Sequence, residues 1–181
     1  MEKLLPLVNT TPYVWWKEGE TTATKPSPFY CRPTDAPNLD FVKANGTNCA
    51  GLLNLLQHIK GNAVPGLKTE LWNAGGTTIW HSYLESIGAL EPFDAKKAYP
   101  KGTLILRRYE EVDAQGHVAV IYSDPKQPSD TVLDQELLHS YPGAGVAIDA
   151  TVKMSHDWHP DGYYEFAVPN WFSKVYADPD F

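Results

Sequence analysis

The segment that decides the fold is residues 46–59, GTNCAGLLNLLQHI, in which a short polar stretch turns into an apolar run. Asn48 or Thr47 is a suitable N-cap, because a short side-chain oxygen can accept one of the first free backbone N–H groups, and Gly61 is a suitable stop. The apolar residues recur at the i, i+3, i+4, i+7 spacing of a buried helix face, at Cys49, Leu52, Leu53, Leu56 and Ile59. The pattern predicts a helix of about three turns that begins at Cys49.

Cys49, one of only two cysteines in the chain, therefore occupies the first turn of a predicted helix. Three roles are open to it. It can be a small buried hydrophobic residue, or half of a disulfide with Cys31 if the protein meets an oxidising compartment. It can also be a nucleophile, because the positive end of the helix dipole favours the thiolate. A disulfide with Cys31 would abolish that nucleophile.

Composition and charge restrict the classes of partner. The 181 residues, 43% of them hydrophobic, are typical of a single domain, here residues 1–181. A net charge of -7 and the lack of a basic run argue against nucleic acid and against an anionic membrane surface. No apolar stretch predicts membrane insertion, and the first residues are too short an apolar run for a secretory signal. We expect a monomer that stays in the cytoplasm or is exported by a route that needs no cleavable signal.

The predicted fold class is α+β, with a helical N-terminal part followed by an antiparallel sheet of about five or six strands. Residues 1–45 predict an irregular arm with one short helix at 39–43, and a second long helix is predicted at 77–87. The predicted strands are TLILRRY (103–109), HVAVIYS (117–123), ELLHSY (136–141), GVAID (145–149) and YYEFAV (163–168). Two insertions, residues 123–135 and 151–162, predict exposed loops or hairpin extensions.

Two histidines are placed to assist Cys49. His117 opens a predicted strand, where its ring can point across the sheet edge toward a helix N-terminus and act as a base. His139, at the equivalent part of the next strand, is placed to fix the tautomer of that ring. If His139 is only structural, Asp149 is the next candidate for the orienting group.

No sequence pattern predicts a metal or another cofactor. The segment HDWHPD, residues 156–161, contains metal-ligating residue types at close spacing. It lacks a helical i, i+4 histidine pair and a distant third ligand, so the interpretation is a solvent-exposed loop without a metal.

Five short motifs follow one another along the chain: PYVWW (12–16), NCAGL (48–52), PKGTLIL (100–106), HVAVIY (117–122) and LLHSYPGAGV (137–146). This order resembles that of the NlpC/P60 cysteine peptidases, members of the papain-like superfamily. Three departures stand out. Asn48 and Ala50 replace the family's Asp and Ser, the Gly-Gly after the first Trp is missing, and about 30 residues separate the first motif from Cys49.

The resemblance implies a papain-like fold and the hydrolysis of an amide bond through a thioester. It assigns Cys49 as nucleophile, His117 as general base and then acid, and His139 as the orienting residue. It suggests Tyr13 as a hydroxyl near the oxyanion, and Asn48 is a second candidate for oxyanion or substrate binding. The implied substrate is a peptide, in particular a peptidoglycan stem peptide. The alternatives are an amidase or acyltransferase on a non-peptidoglycan substrate and a catalytically idle binding module.

Overall fold

The structure, a computed structural model, describes residues 1–15, 37–66, 75–108, 110, 116–150 and 163–174. These residues form four α-helices and six strands: α1 Leu39–Asn45, α2 Cys49–Ile59, α3 Thr77–Ser86, β1 Glu91–Pro92, β2 Leu104–Arg107, β3 His117–Ile121, β4 Glu136–Tyr141, β5 Gly145–Ala150, β6 Phe166–Val168 and α4 Trp171–Lys174. The predicted α+β class is confirmed. No helix in these ranges is both long enough and apolar enough to cross a membrane.

Helix α2 begins where the sequence predicts it. The side chain of Asn48 accepts a hydrogen bond of 2.7 Å from the Gly51 N–H and so caps the helix. The apolar stripe packs against the sheet, and burial extends around the helix as far as Gln57, since α2 lies at the centre of the main hydrophobic core. Gly61 follows the last turn with φ of 79°, a left-handed conformation that glycine adopts without strain.

The sheet has the order β1-β6-β2-β3-β4-β5, and every neighbouring pair is antiparallel. Its two faces belong to different hydrophobic clusters. Val118 and Leu138 lie in the cluster that contains α2, whereas Ala119 and Leu137 lie in the other one. Because side chains alternate along a strand, His117 and His139 belong to the face opposite α2.

The first part of the N-terminal arm is more regular than the sequence predicts. Residues Glu2–Leu7 form a 3₁₀ helix, and Leu4 and Leu7 are fully buried against α1 and the main core. No pattern in the sequence predicts this helix, because a proline-containing segment of six residues shows no helical period. The prediction of an irregular arm is therefore wrong for these residues, and residues 16–36 of the arm lie outside the described ranges.

The second part of the arm carries the chain to the start of α2. Backbone hydrogen bonds join Thr11 and Asn9 to Val146 of the edge strand β5. Tyr13 then forms a parallel bridge with Thr47, which lies two residues before Cys49. The arm thus covers the open edge of the sheet and brings Tyr13 beside the N-terminus of α2.

The insertion at residues 123–135 is not wholly exposed, so that prediction is wrong for its second half. Val132 and Gln135 are buried, and Val132–Asp134 forms a short 3₁₀ helix. The side chain of Gln135 accepts from the Tyr99 N–H at 2.8 Å and donates to the Tyr99 carbonyl at 2.7 Å. The other insertion, residues 151–162, lies outside the described ranges.

Candidate active site

A cavity of about 490 Å³ lies where the N-terminus of α2 meets the start of β3. The described residues that line it are Tyr13, Trp15, Cys49, Gly116, His117, Pro142 and Tyr163. Three of the residues that the sequence singles out, Tyr13, Cys49 and His117, therefore share one cavity. They come from the arm, from α2 and from β3, so only the tertiary fold brings them together.

The Cys49 sulfur is surrounded by hydrogen-bond donors. The backbone N–H of Val118, the residue after His117, bonds to it, as do the N–H of Ala50 and the hydroxyl of Thr77 at the start of α3. These contacts favour the thiolate, as the sequence predicts for a helix start. Burial opposes them and is the larger effect, because Cys49 is only 7% exposed, and it raises the pKa of the thiol. Cys49 is thus a protonated thiol at neutral pH in this structure.

His117 is buried, lines the same cavity as Cys49 and is neutral. Its Nε2 lies 3.3 Å from Nδ1 of His139, and its ring is 4% exposed. Burial, followed by the neighbouring His139, lowers the pKa of His117 well below its usual value. A neutral imidazole is the form that can accept a proton. Because Nε2 of His117 contacts His139, Nδ1 of His117 is the ring nitrogen that can accept one from the thiol.

His139 is in contact with His117, as the resemblance implies, and it has a second partner. Its Nε2 lies 3.3 Å from Oδ2 of Asp149 on β5. The ring of Tyr141 stacks on it, with centroids 4.6 Å apart and planes inclined by 28°. His117, His139 and Asp149 therefore form a continuous chain of contacts along the face of the sheet opposite α2.

Two tyrosines face the cavity with protonated hydroxyls. Burial is the main cause that raises the pKa of both Tyr13 and Tyr163, and the charge that Cys49 acquires at high pH adds to it. Each can therefore donate a hydrogen bond at neutral pH. The Arg107 guanidinium donates to Tyr163 and lies 5.0 Å from the centre of its ring, while Tyr13 stacks on Trp15.

Asn48 has a defined structural contact, since its side-chain oxygen caps α2. It is buried and is not among the described residues that line the cavity. A role for Asn48 in substrate or oxyanion binding stays a prediction, as does the oxyanion role of Tyr13.

The sequence reasoning missed Thr77 and Tyr163. Thr77 belongs to a predicted helix start, and Tyr163 to a predicted strand, so each was accounted for by secondary structure alone. Only the packing of α3 and of the chain before β6 brings them to Cys49. No local pattern marks either contact.

Among the described residues, no group of three or more His, Cys, Asp or Glu side chains is placed to hold a metal ion. The segment 156–161 and Cys31 lie outside those ranges. The interpretations given to them from the sequence stay predictions.

The sequence matches no protein-family model and no curated protein. The candidate site therefore depends on the geometry around Cys49 and on the resemblance of the five motifs.

Proposed function

We propose that this protein is a cysteine hydrolase of amide bonds, related in mechanism to the NlpC/P60 peptidases. The observation that carries the proposal is the arrangement of Cys49 at a helix N-terminus, in one cavity with a neutral His117 whose Nε2 is held by His139. A nucleophile, a base and a group that orients the base are the parts that acyl transfer needs. The presence of both Cys49 and His117 argues against an idle binding module.

The reaction begins with proton transfer, because the resting thiol is protonated. The Cys49 S–H proton passes to Nδ1 of His117 as the sulfur bonds to the amide carbon, and the carbonyl electron pair moves to the oxygen. The Cys49 N–H and the Tyr13 hydroxyl are the donors available to that oxyanion. His117 returns its proton to the departing amine when the C–N bond breaks. Water then attacks the thioester and gives a proton to His117. The C–S bond breaks, the Cys49 sulfur takes that proton back from His117, and the acid product leaves.

Two substrate classes are supported by different observations. The resemblance of the motifs supports a peptide substrate, in particular a peptidoglycan stem peptide. The described cavity lining supports a second candidate, an amidase or acyltransferase on another amide. Tyr13, Trp15, Pro142 and Tyr163 offer aromatic and apolar surface to a substrate, and none of the described lining residues is Lys, Arg, Asp or Glu. Such a surface suits an apolar or aromatic group next to the reacting carbonyl.

A substrate panel tests the proposal and separates the two classes. The protein is incubated with muropeptides, with ordinary peptides and with amides that carry an aromatic acyl group, in water enriched in ¹⁸O, and the products are identified by mass spectrometry. Hydrolysis places one ¹⁸O in the new carboxylate, whereas transfer to an added amine does not. Turnover of muropeptides alone supports the first class, and turnover of aromatic amides alone supports the second.

Variants connect the activity to the site. Cys49→Ala should abolish turnover, and His139→Ala should lower kcat by about 10² to 10⁴, while His139→Asn should retain part of it through its carbonyl. His58→Ala is the matched control. It removes a histidine from the last turn of the same helix, about 14 Å from Cys49 at 1.5 Å per residue, and should leave kcat unchanged. Turnover by Cys49→Ala at the parental rate would refute the proposal.

A further inference from the structure

We propose that Asp149 is a positioning residue of this site, which selects the tautomers of both histidines through one chain of hydrogen bonds. The inference rests on the proposed function, because it concerns how His117 becomes a base. It adds a residue that the five motifs do not assign any role.

The sheet places Asp149 where it can act on His139. In the register of β4 and β5, Asp149 lies opposite Leu137, and His139 lies opposite Ala147. Leu137 and His139 share a face, so Asp149 is a diagonal neighbour of His139 on that face. The Oδ2 of Asp149 lies 3.3 Å from Nε2 of His139, whose side chain is fully buried. The carboxylate itself is 12% exposed, so little water competes for it.

The direction of this hydrogen bond fixes the protons on both rings. A carboxylate can only accept, so Nε2 of a neutral His139 must carry its proton, and Nδ1 must then be an acceptor. That Nδ1 lies 3.3 Å from Nε2 of His117, which must therefore donate. A neutral His117 with a proton on Nε2 has its lone pair on Nδ1, the nitrogen left for the thiol. Asp149 thus determines which nitrogen of His117 is basic, although it does not contact His117.

The distances from His117 to His139 and from His139 to Asp149 are those expected for this chain before a substrate binds. Both are at the long end of hydrogen bonds in proteins, and catalytic hydrogen bonds are often long before the substrate binds. When His117 takes the Cys49 proton, its positive charge strengthens the bond to His139 and, through that ring, the bond to Asp149. The carboxylate remains ionised throughout and gains no proton.

The carboxamide variant Asp149→Asn tests this assignment, because an amide can donate as well as accept. If its NH₂ group bonds to His139, the proton of His139 moves to Nδ1, and His117 loses its acceptor. We expect kcat to fall by about 10² to 10⁴ with KM within about threefold of the parent. Glu136→Gln is the control. It removes one carboxylate from the same pair of strands, at an exposed position on the other face, and should change neither value.

The tautomers themselves are the second measurement, and they require no substrate. The full-length protein is labelled with ¹⁵N in the histidine rings, and long-range ¹H–¹⁵N correlation spectra at neutral pH report which nitrogen of His117 and of His139 carries the proton. We expect a proton on Nε2 of both rings in the parent and in Glu136→Gln. In Asp149→Asn we expect the His139 proton on Nδ1.

The results separate this inference from the proposed function. If Cys49→Ala retains parental turnover but Asp149→Asn moves the His139 proton, the hydrolase is refuted and the positioning by Asp149 stands. If Cys49→Ala is inactive and Asp149→Asn keeps the parental tautomers or the parental kcat, the hydrolase stands and the positioning is refuted. A proton on Nδ1 of His139 in the parent refutes the positioning even if Asp149→Asn does not fold.

Discussion

Gly145→Ala should destabilise the fold far more than Gly143→Ala, although both glycines lie in one turn. Gly143, in the connection from β4 to β5, and Gly145, the first residue of β5, both have positive φ, 89° and 72°. An L-residue pays about 1–2 kcal/mol for that conformation at either position. The surroundings differ. A Cβ at Gly143 meets nothing within 4 Å, whereas a Cβ at Gly145 would collide with the Thr11 carbonyl oxygen and lie 3.2 Å from the Cα of Pro12.

The additional loss of stability in Gly145→Ala follows from the hydrogen bonds that the arm would lose. Thr11 and Asn9 are held to Val146 by two backbone hydrogen bonds, of 3.0 and 2.8 Å. Moving the arm away from the new methyl group breaks both, at about 1 kcal/mol each. We therefore expect Gly145→Ala to cost about 3–4 kcal/mol in the free energy of unfolding. At about 2–4 °C per kcal/mol for a domain of this size, its Tm should fall by roughly 10 °C, and that of Gly143→Ala by about 2–8 °C.

Two measurements check this prediction. Thermal unfolding followed by circular dichroism gives the two Tm values. Native-state hydrogen exchange of the Val146 amide reports its bond to Thr11, so protection at this amide should be lost in Gly145→Ala and kept in Gly143→Ala. Equal losses of Tm in the two variants, with Val146 protected in both, would show that a methyl group at position 145 does not displace the arm from β5.

Cys49→Ala should abolish hydrolysis and yet shift Tm by only a few degrees, the effect of about 1 kcal/mol in a domain of this size; a much larger shift in the melting curve would assign Cys49 to core packing. Gly46→Ala should lower kcat, because its Cβ would lie 2.7 Å from the Pro12 carbonyl oxygen and displace the segment that lines the cavity, whereas Gly61→Ala, also at positive φ but in open space, should keep the parental kcat on the same substrate. Acidification from about pH 7.5 to 5.5 should destabilise the parent more than His117→Asn in urea titrations. The folded pKa of His117 is lowered, so below about 6.5 the unfolded chain binds the extra proton and stability falls, by up to about 1.4 kcal/mol per pH unit; equal pH dependence in the two proteins would contradict this.

The sequence predicted those parts of the fold whose signals are local. Helix α2 has its apolar spacing and its Asn48 cap within a dozen residues, and both agree with the structure. Strand β1 was missed because two exposed residues, Glu91–Pro92, have no period, and they become a strand only by pairing with β6. The buried Gln135 was missed for a similar reason. Its partner is the backbone of Tyr99, and a polar residue in a loop gives no sign of a distant partner.

The candidate site also combines features that the sequence predicts with features that depend on the tertiary fold. The positions of Cys49 and His117 follow from the order of the motifs, which is a property of the sequence. The pKa of the Cys49 thiol does not follow from the order of the motifs. The helix N-terminus and the donors from Val118 and Thr77 favour a thiolate, but the depth of burial that outweighs them is set by the arm and by the chain before β6. The prediction that the helix start makes Cys49 a thiolate was therefore incomplete.

Cys49 and His117 are both neutral in the resting state, and this explains why the proposed reaction needs the chain from His117 to Asp149. In an exposed thiolate–imidazolium pair the nucleophile is ready before the substrate arrives, and the base has little left to do. Here burial raises the pKa of Cys49 and lowers that of His117, so both effects oppose transfer of the proton. The proposed reaction therefore requires something that stabilises the imidazolium as it forms in a site with little water. In the proposed chain, Nδ1 of His139 accepts from His117 and the carboxylate of Asp149 lies behind Nε2 of the same ring, an arrangement that supplies this stabilisation. In the proposed reaction, the chain on the opposite face of the sheet thus offsets the effect of burial on the pKa values of Cys49 and His117.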